Sequence, residues 1–307
     1  MGGVVTSFAV IASVIGTGYV LGRYGLLGDN GREVLTRLAF HVATPALMFV
    51  TLAKADLSVM VSGPLLVMAL STVGTVLVFS AVAVWRGWPV GYATVGALCA
   101  SYVNAGNLGI PVAAYVLGDA SLVAPVLLLQ QLVLSPVFLT VLDLSTASAR
   151  MTTFQRLTSP FRNPVVLGTL GGVLVAALGQ PLPRPVLEPF HMIGAMSVPA
   201  VLLAFGISLH GSTLPARGPD RVPVLLSVAL KSAGMPVLAW ALGAGVFGLS
   251  GAALFTAVVT AALPAAQNLY TYASRYGVGT RLARESILLS TLLAIPSLLV
   301  IAALLAP

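Results

Sequence analysis

Apolar runs of about twenty residues follow one another along almost the whole chain, separated by short connections that carry most of the charge. Because roughly 20 apolar residues cross a hydrocarbon core as a helix, the pattern predicts ten spans, at 4–22, 34–53, 63–84, 91–117, 121–143, 164–179, 187–209, 222–247, 250–274 and 283–305. The fourth and ninth are interrupted in the same way, by SYVNAGNLGIPVAAYVLG around Pro111 and VVTAALPAAQNLYTYASRYG around Pro264. A glycine and proline cluster inside a membrane helix leaves backbone groups without intrahelical partners, which is costly in hydrocarbon unless a cavity, a neighbour or a ligand satisfies them. Two such interruptions in the two halves of a chain point to a binding site.

The spacing of other prolines extends the correspondence. Pro45 precedes Pro111 by 66 residues and Pro199 precedes Pro264 by 65, and the third and eighth spans share Ala-Leu-x-x-x-Gly at Ala69 to Gly74 and Ala229 to Gly234. The chain therefore reads as two five-helix repeats, residues 1–145 and 164–307, joined by a linker at 146–163. Five is odd, so the second repeat enters the membrane in the opposite sense and the repeats are inverted.

Composition narrows the class. Of 307 residues 58% are hydrophobic and 7% charged, with mean hydropathy +1.02, which excludes a water-soluble domain and predicts an all-α polytopic membrane protein. The net charge of +7 does not indicate nucleic acid here, because twelve of the fifteen basic residues sit in or beside the connections after odd-numbered spans. Lys54 and Arg184 occupy the opposite side and Lys231 lies inside a span. The positive-inside rule puts the arginine-rich side in the cytoplasm and both termini outside the cell membrane. The start MGGVVTSFAV lacks a basic n-region, so the first run reads as a span and not a cleaved signal. The lone Cys99 forms no intrachain disulfide and reads as packing.

The polar residues inside spans are few. Asn104 and Asn107 lie three apart, on one helical face before Gly106, Gly109 and Pro111 complete the break. Their amides donate to a carboxylate, and their carbonyl oxygens suit a cation, so identity alone leaves substrate and coupling ion both open. Gln267 and Asn268 follow Pro264 within one turn, and Gln130 and Gln131 sit near mid-depth of the fifth span. Pro111 and Pro264 suit the first turn of a second half-helix, whose positive end would face the midplane and favour an anion. Lys231 falls about 13 Å into the eighth span and is expected to face a wet cavity or a substrate carboxylate, since no Asp or Glu lies near mid-depth in any span. His41, one turn before Pro45, reads as a packing residue, and Asp143 and Glu285 as ion-pair partners of nearby arginines. No GxxxxGK[ST] loop, paired intramembrane acids or nucleophile–base spacing is present, so transport driven by a gradient is expected and an enzyme is not. Rings of charge or a filter repeat, which a channel would need, are absent as well.

NAGNLGIP in the fourth span, AALPAAQN and the RYG at Arg275 to Gly277 in the ninth, PALMF in the second, Lys231 in the eighth and STLLAIPSLL at Ser290 to Leu299 together resemble the auxin efflux carrier family. That family includes the plant PIN carriers and bacterial permeases for malate- and malonate-like acids. The resemblance implies the bile-acid sodium symporter fold, with spans 1, 2, 6 and 7 as a dimerising scaffold, and spans 3–5 and 8–10 as a mobile transport domain moving elevator-fashion. It favours Gln130 over Gln131 and implies a homodimer in lipid that carries a small organic anion such as a carboxylate or an auxin-like acid. No cofactor or metal is implied. Na⁺ and H⁺ both stay open as coupling ions, and a sodium-coupled symporter of bile-acid type is the alternative.

Overall fold

A computed structural model describes residues 2–54, 62–109, 112–118, 120–146, 164–179, 182–210 and 216–305. The linker residues 147–163 and Pro111 lie outside that description. In chain order the helices are α1 (Gly2–Tyr24), α2 (Gly31–Leu52), α3 (Gly63–Trp85) and α4 (Val90–Ser101). Two wide π-type turns, Ala105–Gly109 and Ala113–Leu117, and a tight turn Ala120–Val123 lead to α5 (Pro125–Thr146). Then come α6 (Pro164–Leu178), α7 (Arg184–Leu209), α8 (Arg221–Val246), α9 (Gly251–Ala261), α10 (Asn268–Tyr276) and α11 (Thr280–Leu305). Among the described residues, α2, α3, α5, α7, α8 and α11 are long and apolar enough to cross a membrane, and α4 and α9 are shorter apolar helices.

Proline shapes several of these helices without ending them. Its ring would clash with the carbonyl four residues earlier, and π-type turns at Ala39–Ala43, Gln130–Leu134 and Leu230–Gly234 widen the helix just ahead of Pro45, Pro136 and Pro236. The turns place Gln130 and Lys231 at locally unwound points of α5 and α8. Sharper signals mark some ends: the Ser62 hydroxyl accepts from the Leu65 amide at the start of α3, and Gly277 adopts φ 66° after α10.

Packing gathers the helices into two groups. The most extensive contacts join α1 to α7 and α6 to α2, with α2 also against α7; α3 packs on α4, α8 and α9, and α11 on α8 and α9. Glycine makes the first group close. A Cβ at Gly206 would overlap the Ile15 carbonyl of α1, and one at Gly172 would sit 2.7 Å from the Phe49 carbonyl of α2. Without a hydrophobic drive between helices in lipid, such backbone proximity supplies the association. In the second group, buried apolar side chains of α3 and α9 and those of Ala105, Leu108, Val112 and Ala113 surround the interruptions.

Candidate functional site at the crossing of two broken helices

The interruptions meet. α4 ends at Ser101 and the chain turns extended at Tyr102 (φ −84°, ψ 115°); α9 ends at Ala261 and helix resumes only at Asn268. Between them Val103 and Ala265 form an isolated antiparallel bridge. The Asn104 amide donates to the Pro264 carbonyl (2.8 Å) and the Ala266 amide to the Tyr102 carbonyl (3.3 Å). Each broken segment thus satisfies the backbone groups that the other exposes, which removes the main cost of unwinding in an apolar setting.

This geometry moves both breaks from their expected places. Val103 precedes Pro111 by eight residues in sequence, whereas Ala265 follows Pro264 by one, so the bridge is not at matching distances from the two prolines along the chain. Pro264 does not open the second half-helix either. It lies in the extended segment, where a missing N–H costs nothing and its carbonyl is the acceptor. Gly109 closes the turn after the crossing, and a Cβ there would meet Val123 at 2.8 Å and Leu263 at 3.1 Å. Gly106 has room, its nearest neighbour Leu127 being 3.8 Å away.

Side chains reinforce the bridge. The Asn104 Nδ2 donates to Gln267 Oε1 at 2.7 Å, tying the two segments a second time. Gln130 Nε2 donates to the Val103 carbonyl (3.0 Å), and the Ala265 amide donates to Ser290 Oγ (3.2 Å), so α5 and α11 each hold one strand of the bridge. Tyr102 shares a hydrogen bond with Ser135 (2.8 Å), and Asn268 Nδ2 donates to the Tyr272 hydroxyl (3.2 Å).

A cavity of about 220 Å³ lies against the crossing. Asn104, Gly106, Gln130, Gln131, Gln267 and Asn268 line one wall, and Thr44, Met48, Thr51, Ser197 and Val201 of α2 and α7 the other. Among the described residues, no Asp, Glu, Lys, Arg or His lines it. The buried Gln130 Oε1, Gln131 Oε1 and Asn268 Oδ1 have no hydrogen-bond partner among the described residues, so the wall presents acceptors as well as amide donors. Of Asn107 only the backbone, in the turn Ala105–Gly109, is described.

Lys231 is placed elsewhere. It does not line this cavity; its fully buried amine donates to the Ala261 carbonyl (2.7 Å) and to Met235 Sδ (3.1 Å). The carbonyl end of a helix is the negative end of its dipole, and α9 ends at Ala261, so the amine donates directly to that end. Depth in the span was legible; the helix end opposite it was not. His41 Nδ1 donates to the Arg37 carbonyl of its own helix (3.1 Å). Glu285 pairs with Arg281 (2.6 Å), while the Asp143 carboxylate accepts from the Tyr276 hydroxyl (2.7 Å).

Thr44, Ser197, Tyr102 and Ser290 are contributors that sequence reasoning passed over, and Gln131, ranked behind Gln130 there, lines the cavity beside it. For one pair a signal existed: Thr44 directly precedes Pro45 and Ser197 lies two residues before Pro199, and their hydroxyls hydrogen-bond across α2 and α7 at 2.8 Å.

The comparison that decides the family follows the same helices. The sequence profile of the family described as membrane transport protein matches residues 3–151 and 145–302. The chain belongs to this family. It is the family whose motifs the auxin efflux carriers share. Over 91% of this chain and 92% of its own length, a Rhizobium meliloti protein named "Putative malonate transporter" is 25% identical. A Methanothermobacter thermautotrophicus protein named "Uncharacterized transporter" is 33% identical over 129 residues, a match spanning 40% of this chain and 41% of that protein. This family member is thus a multi-pass membrane transporter, and its relatives are transporters, not enzymes.

Proposed function

We propose that this transporter is a secondary carrier for a small organic acid, bound at the crossing of the broken helices and moved by elevator-type alternating access. The observation that carries the reading is the cavity between the hydrogen-bonded crossing and the wall formed by α2 and α7. Its volume is below the roughly 300–1,000 Å³ of drug-sized sites, which suits a small acid. Asn104, Gln267, Asn268 and Gln131 supply amides, and the positive end of α10 begins beside them at Asn268. The malonate named for the Rhizobium relative fits that size and charge.

The two packing groups divide the labour in this reading. Helices α1, α2, α6 and α7 form the scaffold and the dimer contact, and α3–α5 with α8–α11 form the moving body. In this reading each broken helix counts as one span, giving ten spans in two inverted five-helix repeats. The arginine census puts both termini outside the cell membrane. A sodium-coupled cycle is a second reading, and the unpartnered oxygens of Gln130, Gln131 and Asn268 favour it, because hard cations take neutral oxygens.

Purified protein in liposomes, with labelled malonate and a panel of mono- and dicarboxylates under separate Na⁺, H⁺ and voltage gradients, tests the proposal. Saturable uptake with counterflow of one class of acid is the expected result, and dependence on inward Na⁺ selects the second reading. Absence of counterflow for every acid would overturn the carrier assignment.

A further inference from the structure

On the arginine-rich side of the crossing, side-chain contacts join α10 and α11 to α2 and α7. The ring of Phe205 on α7 meets Tyr270 edge-on at 5.9 Å, and Phe40 on α2 meets Tyr272 at 6.3 Å. The Arg275 guanidinium lies 5.6 Å over Phe40, and Arg284 Nη1 donates to the Ser208 carbonyl at 2.9 Å. All four contacts tie α10 or α11 to α2 or α7. On the other side of the crossing the cavity reaches Thr51, toward the Lys54 end of α2.

Beneath those contacts α10 hides polar atoms. The hydroxyls of Tyr270 and Thr271, residues only 0% and 2% exposed, and the buried Ser274 Oγ have no hydrogen-bond partner among the described residues. Burying a hydroxyl without a partner is expensive, and a purely structural interface between two apolar helices would place alanine or leucine there. Asn268, Thr271 and Ser274 are spaced by three and so form one stripe along α10. The stripe begins at the cavity wall with Asn268 and runs about 9 Å toward the exposed Arg275.

We infer that the Asn268–Thr271–Ser274 stripe, with the Tyr270 hydroxyl, is the second half of the route for the organic acid, closed in this structure by the Phe40–Tyr272 and Phe205–Tyr270 contacts and the Arg284–Ser208 hydrogen bond. The inference rests on the carrier reading. In the opposite state α10 draws back from α2 and α7, water and the anion satisfy the hydroxyls, and Arg275 receives the acid at the mouth. The structure is then the state open away from the arginine-rich side. Burying these hydroxyls without a partner among the described residues disfavours this state, and exposing them in the opposite state relieves that cost.

Thiol labelling reads this without any substrate. In inside-out vesicles carrying Ser274→Cys in a Cys99→Ala background, a membrane-impermeant maleimide added to the arginine-rich side should label slowly. Phe205→Leu or Phe40→Ala should raise the rate at least about tenfold. Tyr270→Phe together with Thr271→Val should lower it and slow malonate counterflow, with half-saturation from the opposite side unchanged. Equal labelling rates in the wild-type and both seal-weakened backgrounds, in protein that elutes as a single folded species, would overturn the gate. No labelling in any background alongside intact counterflow would overturn it too, while leaving the carrier reading standing. Labelling as expected in protein that moves no acid would support the gate and count against the substrate.

Discussion

At the scale of single residues, the crossing is held by amides whose removal should be felt in transport before folding. Asn104→Ala leaves the buried Gln267 Oε1 without the donor it now has at 2.7 Å. At about 1–3 kcal/mol for such a loss, uptake should fall roughly tenfold to a hundredfold, checked by initial rates in liposomes at matched protein density. Lys231→Met makes a different claim. The amine does not line the cavity, so half-saturation should stay within about threefold while the maximal rate drops, the pattern of a group that does not contact the ligand. A collapse of affinity with an unchanged maximal rate would instead return Lys231 to the anion. Amides were legible in the sequence because so few polar side chains occur in its apolar runs. Ser290 was not, and Thr44 and Ser197 were marked only by their neighbouring prolines, since a hydroxyl bonds its own helix as readily as a neighbour, as Ser71 and Thr72 do here.

At the scale of elements, the apolar runs located the helices, and glycine and proline signalled that the fourth and ninth are broken. The point of breakage was displaced: α4 ends at Ser101, before any glycine or proline of its cluster. The reason lies in pairing across the crossing, where the Pro264 carbonyl and the Ala266 amide supply partners to a segment distant in sequence; no local pattern encodes that. Glycines at helix contacts carry a second element-scale consequence. A Cβ at Gly172 would approach Leu52 Cβ at 2.9 Å as well as the Phe49 carbonyl at 2.7 Å. Gly172→Leu should therefore separate α6 from α2 at a cost of about 1–3 kcal/mol or more, seen as a fall of several degrees in the thermal transition of the detergent-solubilised protein.

At the scale of the whole molecule, charge and topology argue together. If the arginine-rich face is cytoplasmic, an epitope added before Gly2 is accessible in intact cells without permeabilisation, and one placed in the 147–163 linker only after it. The reverse pattern would invert the direction of every step proposed above. An expectation of topology was readable from sequence because it rests on sums over many residues. The gate on the arginine-rich side was not, because Phe40, Phe205, Tyr270 and Tyr272 are unremarkable in an apolar chain until folding brings them together.

The bridge between Val103 and Ala265 has one more consequence. Because the two strands are joined by backbone hydrogen bonds and by Asn104 to Gln267, the crossing's amides form a single cassette that, in the proposed cycle, belongs wholly to the moving body. Displacing that cassette past α2 and α7 changes which solution it meets but not its own shape. The rank order of acids competing for the carrier should then be the same whether competitors are added inside or outside the vesicle, even where the absolute affinities differ.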